Sequence, residues 1–150
     1  MKYLAFLVAF SFAPMAQAED AEFDPEKIIK YRQDFMTAVK GHNNAIKSIV
    51  NGVVPYENHL NMHIASLEAL FMEIESLFPE GSDFGETNAK DAIWDNPEKF
   101  SKTSKEAIEA LATFKGVASE GDKSKTRSAF KQFGKQSCGS CHKSFKKKDN

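Results

Sequence analysis

The chain has only two cysteines, Cys138 and Cys141. That is too few for a disulfide-stapled scaffold or a structural site built on four thiolates. Its charge is nearly balanced, with 20 basic and 21 acidic residues. This excludes the strongly basic composition of a nucleic-acid-binding domain. Beyond the first residues, no apolar run approaches the roughly 20 residues needed to span a bilayer. A convincing strand pattern, an internal repeat and a low-complexity tract are all lacking. So are a phosphate-cradling glycine loop, a nucleophile motif and an acid–base constellation. The 150 residues suit one helical domain with a core of its own, and the reading is of a protein that is not an enzyme.

What is present is concentrated near the C-terminus. Cys138-Gly139-Ser140-Cys141-His142 has the C-x-x-C-H spacing that attaches a c-type haem. The thiols add across two porphyrin vinyl groups, and the histidine that follows at once lies where its imidazole can bind the iron. Three other uses of these residues are open to test. A thioredoxin-like redox pair expects a βαβ context. A structural zinc site expects four ligands. A plain disulfide is compatible with export.

The N-terminus reads as a secretory signal. Lys2 supplies a positive n-region, residues 3–12 are almost wholly apolar, and Ala16-Gln17-Ala18 is a cleavage site. Residues 1–18 are therefore expected to be removed, leaving 19–150 as one domain of 132 residues with net charge −2. The expected location is the periplasm, where covalent haem attachment takes place in bacteria. No membrane or nucleic-acid partner is expected.

Four helical segments follow. The first opens at Asp24-Pro25-Glu26, a cap followed by proline. It carries Ile28, Tyr31, Phe35, Met36, Val39, Ile46 and Ile49 at helical spacings and ends by Gly52 and Pro55. The second runs from about Glu57 through Ile64, Leu67, Phe71, Ile74 and Leu77, and stops at Phe78-Pro79-Glu80-Gly81. Residues 79–96 read as a long irregular connection, pinned to the core by Ile93 and Trp94. The third helix starts at Asn96-Pro97 and buries Phe100, Ala107, Ile108, Leu111 and Phe114. The last runs from about Lys123 to Lys147 through Phe130, Phe133 and Phe145, with the Lys146-Lys147-Lys148 run as its solvated end. Four amphipathic helices with one long connection predict an all-α, antiparallel, up-down-up-down four-helix bundle.

The chain resembles the class II cytochromes c, the cytochrome c′ family. The resemblance rests on Lys30-Tyr31-Arg32-Gln33 with Met36, Leu77-Phe78-Pro79-Glu80-Gly81-Ser82, Ile93-Trp94, Phe100, and the C-terminal motif with Phe145-Lys146. It spans about Pro25 to Lys146. Members of that family are themselves up-down-up-down bundles. The resemblance implies one covalent haem c, with Cys138 and Cys141 as thioether anchors and His142 as proximal iron ligand. It also implies that Arg32 and Gln33 contact the haem, at its propionates. Thr87 and Asn88 match a Thr-Glu pair near the haem edge, with Asn in place of Glu. Without the resemblance, Arg32 reads as a solvated helix residue, four before Met36 on one face.

Met36 falls at the distal position of the first helix. In one subgroup a methionine there binds the iron, which suits a one-electron carrier with protein redox partners. In the other the iron is five-coordinate, and a face lined by Phe35, Met36 and Leu70 or Phe71 admits NO or CO. Coordination by Met36 is the leading expectation. His59 and His63, four apart, read as surface or half-buried histidines rather than a metal pair, with one of them in place of Met36 as distal ligand the alternative, and His42 reads as capping or solvated. The family also implies pairing through the first two helices, so monomer and homodimer both stay open.

Overall fold

A computed structural model describes residues 23–148 of the chain. The expected signal segment, residues 1–18, lies outside the described residues. The described chain is a four-helix bundle. Its elements are α1 (Pro25–Val50), α2 (Leu60–Met72), the one-turn α3 (Ala92–Asp95), α4 (Pro97–Ser119), α5 (Lys123–Gly134) and α6 (Ser140–Phe145). Among the described residues the only β pairing is an isolated antiparallel bridge between Ala89 and Lys146.

Helix starts follow their caps. The Asp24 carboxylate accepts from the backbone N–H groups of Glu26 and Lys27, with Pro25 in the first turn. Asn96 caps Lys99 ahead of Pro97, and Asp122 caps Ser124 and Lys125. Along α1 the inward stripe is Ile29, Arg32, Met36, Val39, Asn43, Ile46 and Val50, at alternating spacings of three and four. Tyr31, expected on the apolar face, is 62% exposed; Ile29 and Arg32 point inward instead. The phase was set by the buried guanidinium, which hydropathy alone assigns to water.

α2 is shorter than the periodicity suggests. It is flanked by 3₁₀ turns at Glu57–His59 and Glu75–Leu77. His59, at its N-cap, makes no side-chain cap bond. At the other end Glu73 N–H and Ile74 N–H donate three residues back, to Leu70 and Phe71. The tighter winding keeps Phe71, Ile74 and Leu77 on one side at a spacing of three, which is the 3₁₀ repeat. The long connection also holds more regular structure than expected, since α3 lies within it.

Ten buried residues form the main core: Ile46 and Val50 of α1, Ile64, Leu67 and Phe71 of α2, Ala107, Leu111 and Phe114 of α4, and Phe130 and Phe133 of α5. Phe114 stacks on Phe133 with centroids 5.8 Å apart, and Phe71 packs on Phe133 at 6.1 Å. A smaller cluster of Ala89, Ile93, Phe100 and Phe145 closes the other end, with Phe78, Trp94 and Cys141 packed against it.

The last helix is not continuous. A five-residue π turn, Lys135–Gly139, separates α5 from α6. A Cβ on Gly139 would make ordinary contact with the Gly134 carbonyl, at 3.5 Å. Ser140 Oγ bonds back five residues to the Lys135 carbonyl. Wide turns of this kind recur at functional sites. After Phe145 the chain is extended, so Lys146 sits in the β bridge rather than in a helix terminus.

Candidate functional site

Cys138 lies in the π turn, and Cys141 and His142 lie in the first turn of α6. The two cysteines are half-buried, both thiols are unpaired, and His142 is exposed. Burial pushes the Cys141 thiol up to about 11, with Cys138 adding to the shift, and burial raises Cys138 in the same direction. Redox-active C-x-x-C pairs work the other way, by lowering thiol pKa. Among the described residues no group of three or more His, Cys, Asp or Glu could hold a metal ion. These observations weigh against the thioredoxin-like and zinc uses of the motif.

Arg32, Gln33, Thr87 and Asn88 come together where the start of α1 meets the long connection. Arg32 is 4% exposed, against the solvated role its charge suggests. Its NH1 donates to the Leu77 carbonyl at 3.2 Å and to Ser82 Oγ at 3.0 Å. Its NH2 donates to the Ser82 carbonyl at 3.0 Å and to Thr87 Oγ1 at 2.9 Å. The guanidinium lies over the Phe78 ring, 4.6 Å from its centroid, and 5.8 Å from that of Trp94. A planar fork bound to several oxygens and stacked on rings is a use that lysine cannot reproduce. Burial lowers the Arg32 pKa from its ordinary value, while the cation keeps four hydrogen bonds. Gln33 is exposed and its amide donates to the Glu86 carbonyl at 2.7 Å. Thr87 Oγ1 also accepts from Ala89 N–H, at 3.1 Å.

The same connection is tied to the motif segment. Lys90 N–H donates to the Phe145 carbonyl at 2.9 Å, and Lys147 N–H donates to the Asn88 carbonyl at 2.7 Å. Lys90 Nζ reaches the Lys143 carbonyl at 2.9 Å. Trp94 Nε1 donates to the carbonyls of Phe78 and Pro79, both at 3.1 Å, which pins the connection as its sequence suggested.

Met36 is half-buried on the inward stripe of α1, one turn after Arg32. Phe35 is also half-buried and contacts exposed Tyr31. Leu70 is half-buried, and Phe71 belongs to the main core against Phe133. Asn43 is a site residue that the sequence reading missed. It occupies the inward stripe, and its Oδ1 is buried with no hydrogen-bond partner among the described residues. A polar residue in step with Met36, Val39 and Ile46 was the signal that could have found it. Asn43 and Cys138 line one cleft of about 300 Å³ between α1 and α5, and Met36 is not among the residues that line it.

The histidines pair differently from their sequence spacing. His63 meets His42 across α1 and α2, with Nδ1 atoms 3.0 Å apart, while His59 stacks on Tyr56. Burial, then the neighbouring His42 and His59, hold His63 below the usual histidine value.

Residues 27–146 match the family described as Cytochrome C′. Cytochrome c′ of Rhodospirillum rubrum is 29% identical over 147 residues, covering 97% of each chain. Cytochrome c-554 of Cereibacter sphaeroides is 32% identical over 151 residues, again covering 97% of each. Among solved structures, the nitric oxide complex of a point variant of cytochrome c prime from Alcaligenes xylosoxidans superposes with a TM-score of 0.75. It is 28% identical and covers 85% of this chain and 100% of its own. A carbon monoxide complex of another variant of that protein gives 0.73 at 27% identity, covering 83% of this chain and 98% of its own.

Proposed function

The chain belongs to the cytochrome c′ family, and from that premise we propose that it is a periplasmic one-electron carrier, not an enzyme, whose mature domain spans residues 19–150. It is a haem c protein, and its residues fit that group. The two cysteines stand at the attachment spacing with His142 directly after them. Asn43, whose Oδ1 is orphaned, shares a cleft with Cys138, and the half-buried Met36 and Val39 lie on the same stripe of α1. When bound, haem c supplies an iron that exchanges one electron between ferric and ferrous states.

In this reading Cys138 and Cys141 would anchor the macrocycle, and His142 and Met36 would hold its iron through an imidazole and a thioether. The observation that carries the assignment of Met36 is its place: one turn from the clamped Arg32, on the stripe of α1 that also carries the buried Ile29, Ile46 and Val50. Arg32 and Gln33 would contact the haem at its propionates and Thr87 and Asn88 near its edge, with Arg32 and Thr87 also bonded to each other across the loop. The π turn contributes by setting the angle between α5 and the residues that carry the anchors.

A second reading is favoured by the nitric oxide and carbon monoxide complexes of the Alcaligenes relative. In it Met36 only covers the distal side with Phe35 and Leu70, and NO or CO is the physiological ligand. The two readings part on one variant. With Met36 coordinating, the reduced holoprotein ignores CO, and Met36→Ala converts it to a form whose spectrum shifts on adding CO. If wild type and Met36→Ala respond to CO alike, the second reading replaces the first. Pairing through α1 and α2 is proposed on the family alone; Tyr31, Met62 and Met72 are exposed on those helices.

A further inference from the structure

Charge is sorted along this chain into two blocks. Residues 123–148 contain nine lysines and arginines and no carboxylate, whereas the rest of the chain contains 11 basic and 21 acidic residues. The segment that carries the motif is thus strongly cationic within a molecule whose net charge is −1. Solubility does not ask for this. The other long helices intersperse the two signs, as Lys30 with Asp34 on α1 and Lys102 with Glu106 on α4. A helix dipole favours cations only in the last turn. It therefore accounts for Lys131, at the end of α5, and for Lys143, but not for Arg127.

The pairing of these cations sharpens the contrast. Lys123 and Lys125, at the end of α5 farther from the motif, are offset by Glu57 at 2.7 Å and Glu120 at 3.5 Å. Closer to the motif, Arg127, Lys131, Lys135, Lys143, Lys147 and Lys148 are exposed and enter none of the ion pairs among the described residues. Arg127 and Lys131, with Lys47 of α1, rim the cleft that has Cys138 in its wall. Lys90, held on the Lys143 carbonyl, adds a cation on the side of exposed His142. Uncompensated like charges raise the energy of the free protein, and a negatively charged partner removes that cost while being steered to the spot.

We propose that the basic face formed by residues 127–148, with Lys47 and Lys90, is the docking surface for an acidic redox partner protein, whose carboxylates bracket the haem edge. This rests on the electron-carrier reading. The surface field, not the net charge, should then set the sign of the salt dependence.

The test uses the ferrous holoprotein and two small oxidants. Oxidation by anionic hexacyanoferrate(III) should slow about tenfold as ionic strength rises from roughly 10 to 300 mM. Oxidation by cationic hexaammineruthenium(III) should not slow. Lys131→Glu with Lys135→Glu should reduce the low-salt hexacyanoferrate rate severalfold, while Lys102→Glu with Lys105→Glu on α4, an equal change in net charge, should not. Fluorescently labelled poly-glutamate should bind the wild type and lose affinity only in the α5 variant, a readout independent of the iron. A hexacyanoferrate rate that rises with salt, or two variants that behave alike, overturns the proposal. So does binding to phosphatidylglycerol vesicles without binding to poly-glutamate, which would make a lipid surface the occupant. If poly-glutamate binds as expected but neither oxidant exchanges electrons at any salt, the carrier reading fails and the acidic-partner surface stands.

Discussion

The phenylalanine-rich core and the end that carries Phe145 are built from different interactions. In the core, ten buried residues from four helices touch one another through apolar contact, and each has several neighbours that can share a loss. At the other end only four buried apolar residues meet. Position there is fixed by a few directional ties: the four hydrogen bonds of Arg32, the Trp94 indole on two carbonyls, and two backbone bonds joining residues 88–90 to 145–147. The core therefore determines whether the bundle folds. The ties determine where the connection and the motif sit relative to α1, with no redundancy to absorb a deletion.

The sharpest way to break the comparison is to damage each end alone. Leu111→Ala in the core should cost about 3 kcal/mol in denaturant unfolding, because Leu111 is fully buried, yet leave the haem spectrum of the folded protein unchanged. Arg32→Leu should cost about 2 kcal/mol, since it strands the Leu77 and Ser82 carbonyls, and should alter the spectrum and speed amide exchange in residues 82–90. If Leu111→Ala perturbs the site as much as Arg32→Leu does, the two ends are one unit and the distinction fails. Trp94→Phe keeps the ring against Phe78 but loses the donor to two carbonyls, and about 1 kcal/mol is expected.

The smallest effect is a pH dependence on the α1–α2 side, away from both ends. The folded pKa of His63 is depressed by burial and then by His42 and His59. Its contribution to stability is complete above the unfolded histidine value, about 6.5, and is lost as pH falls through the lower folded value. Unfolding midpoints should therefore fall below about pH 6.5, and His63→Gln should flatten that slope. A His63→Gln curve parallel to wild type from pH 5 to 7 would place the dependence elsewhere.

The core was legible in the sequence because helical periodicity reports burial directly: Ile64, Leu67, Leu111, Phe114 and Phe133 all lie where their spacing puts them. The motif was legible because its chemistry needs consecutive residues. The four ties of Arg32 were not, because they join residues 45 to 55 apart and two of them end on backbone carbonyls, which every residue has. Without the resemblance Arg32 read as solvated for that reason, and Ser82 entered only as the end of the stretch from Leu77 that the resemblance rests on. The His42–His63 contact was obscured by the i, i+4 spacing of His59 and His63, which is a neighbour relation within one helix and carries no information about the next. The π turn left a faint trace in Gly134 and Gly139, five residues apart.

The central proposal is that Met36, with His142, would hold the haem iron. The most direct measurement is the absorption spectrum of the ferrous wild-type holoprotein before and after saturation with CO at neutral pH. Sharp low-spin bands that CO leaves unchanged are the predicted result. A broad high-spin spectrum that converts on adding CO would contradict it and leave Met36 as a cover over an open iron.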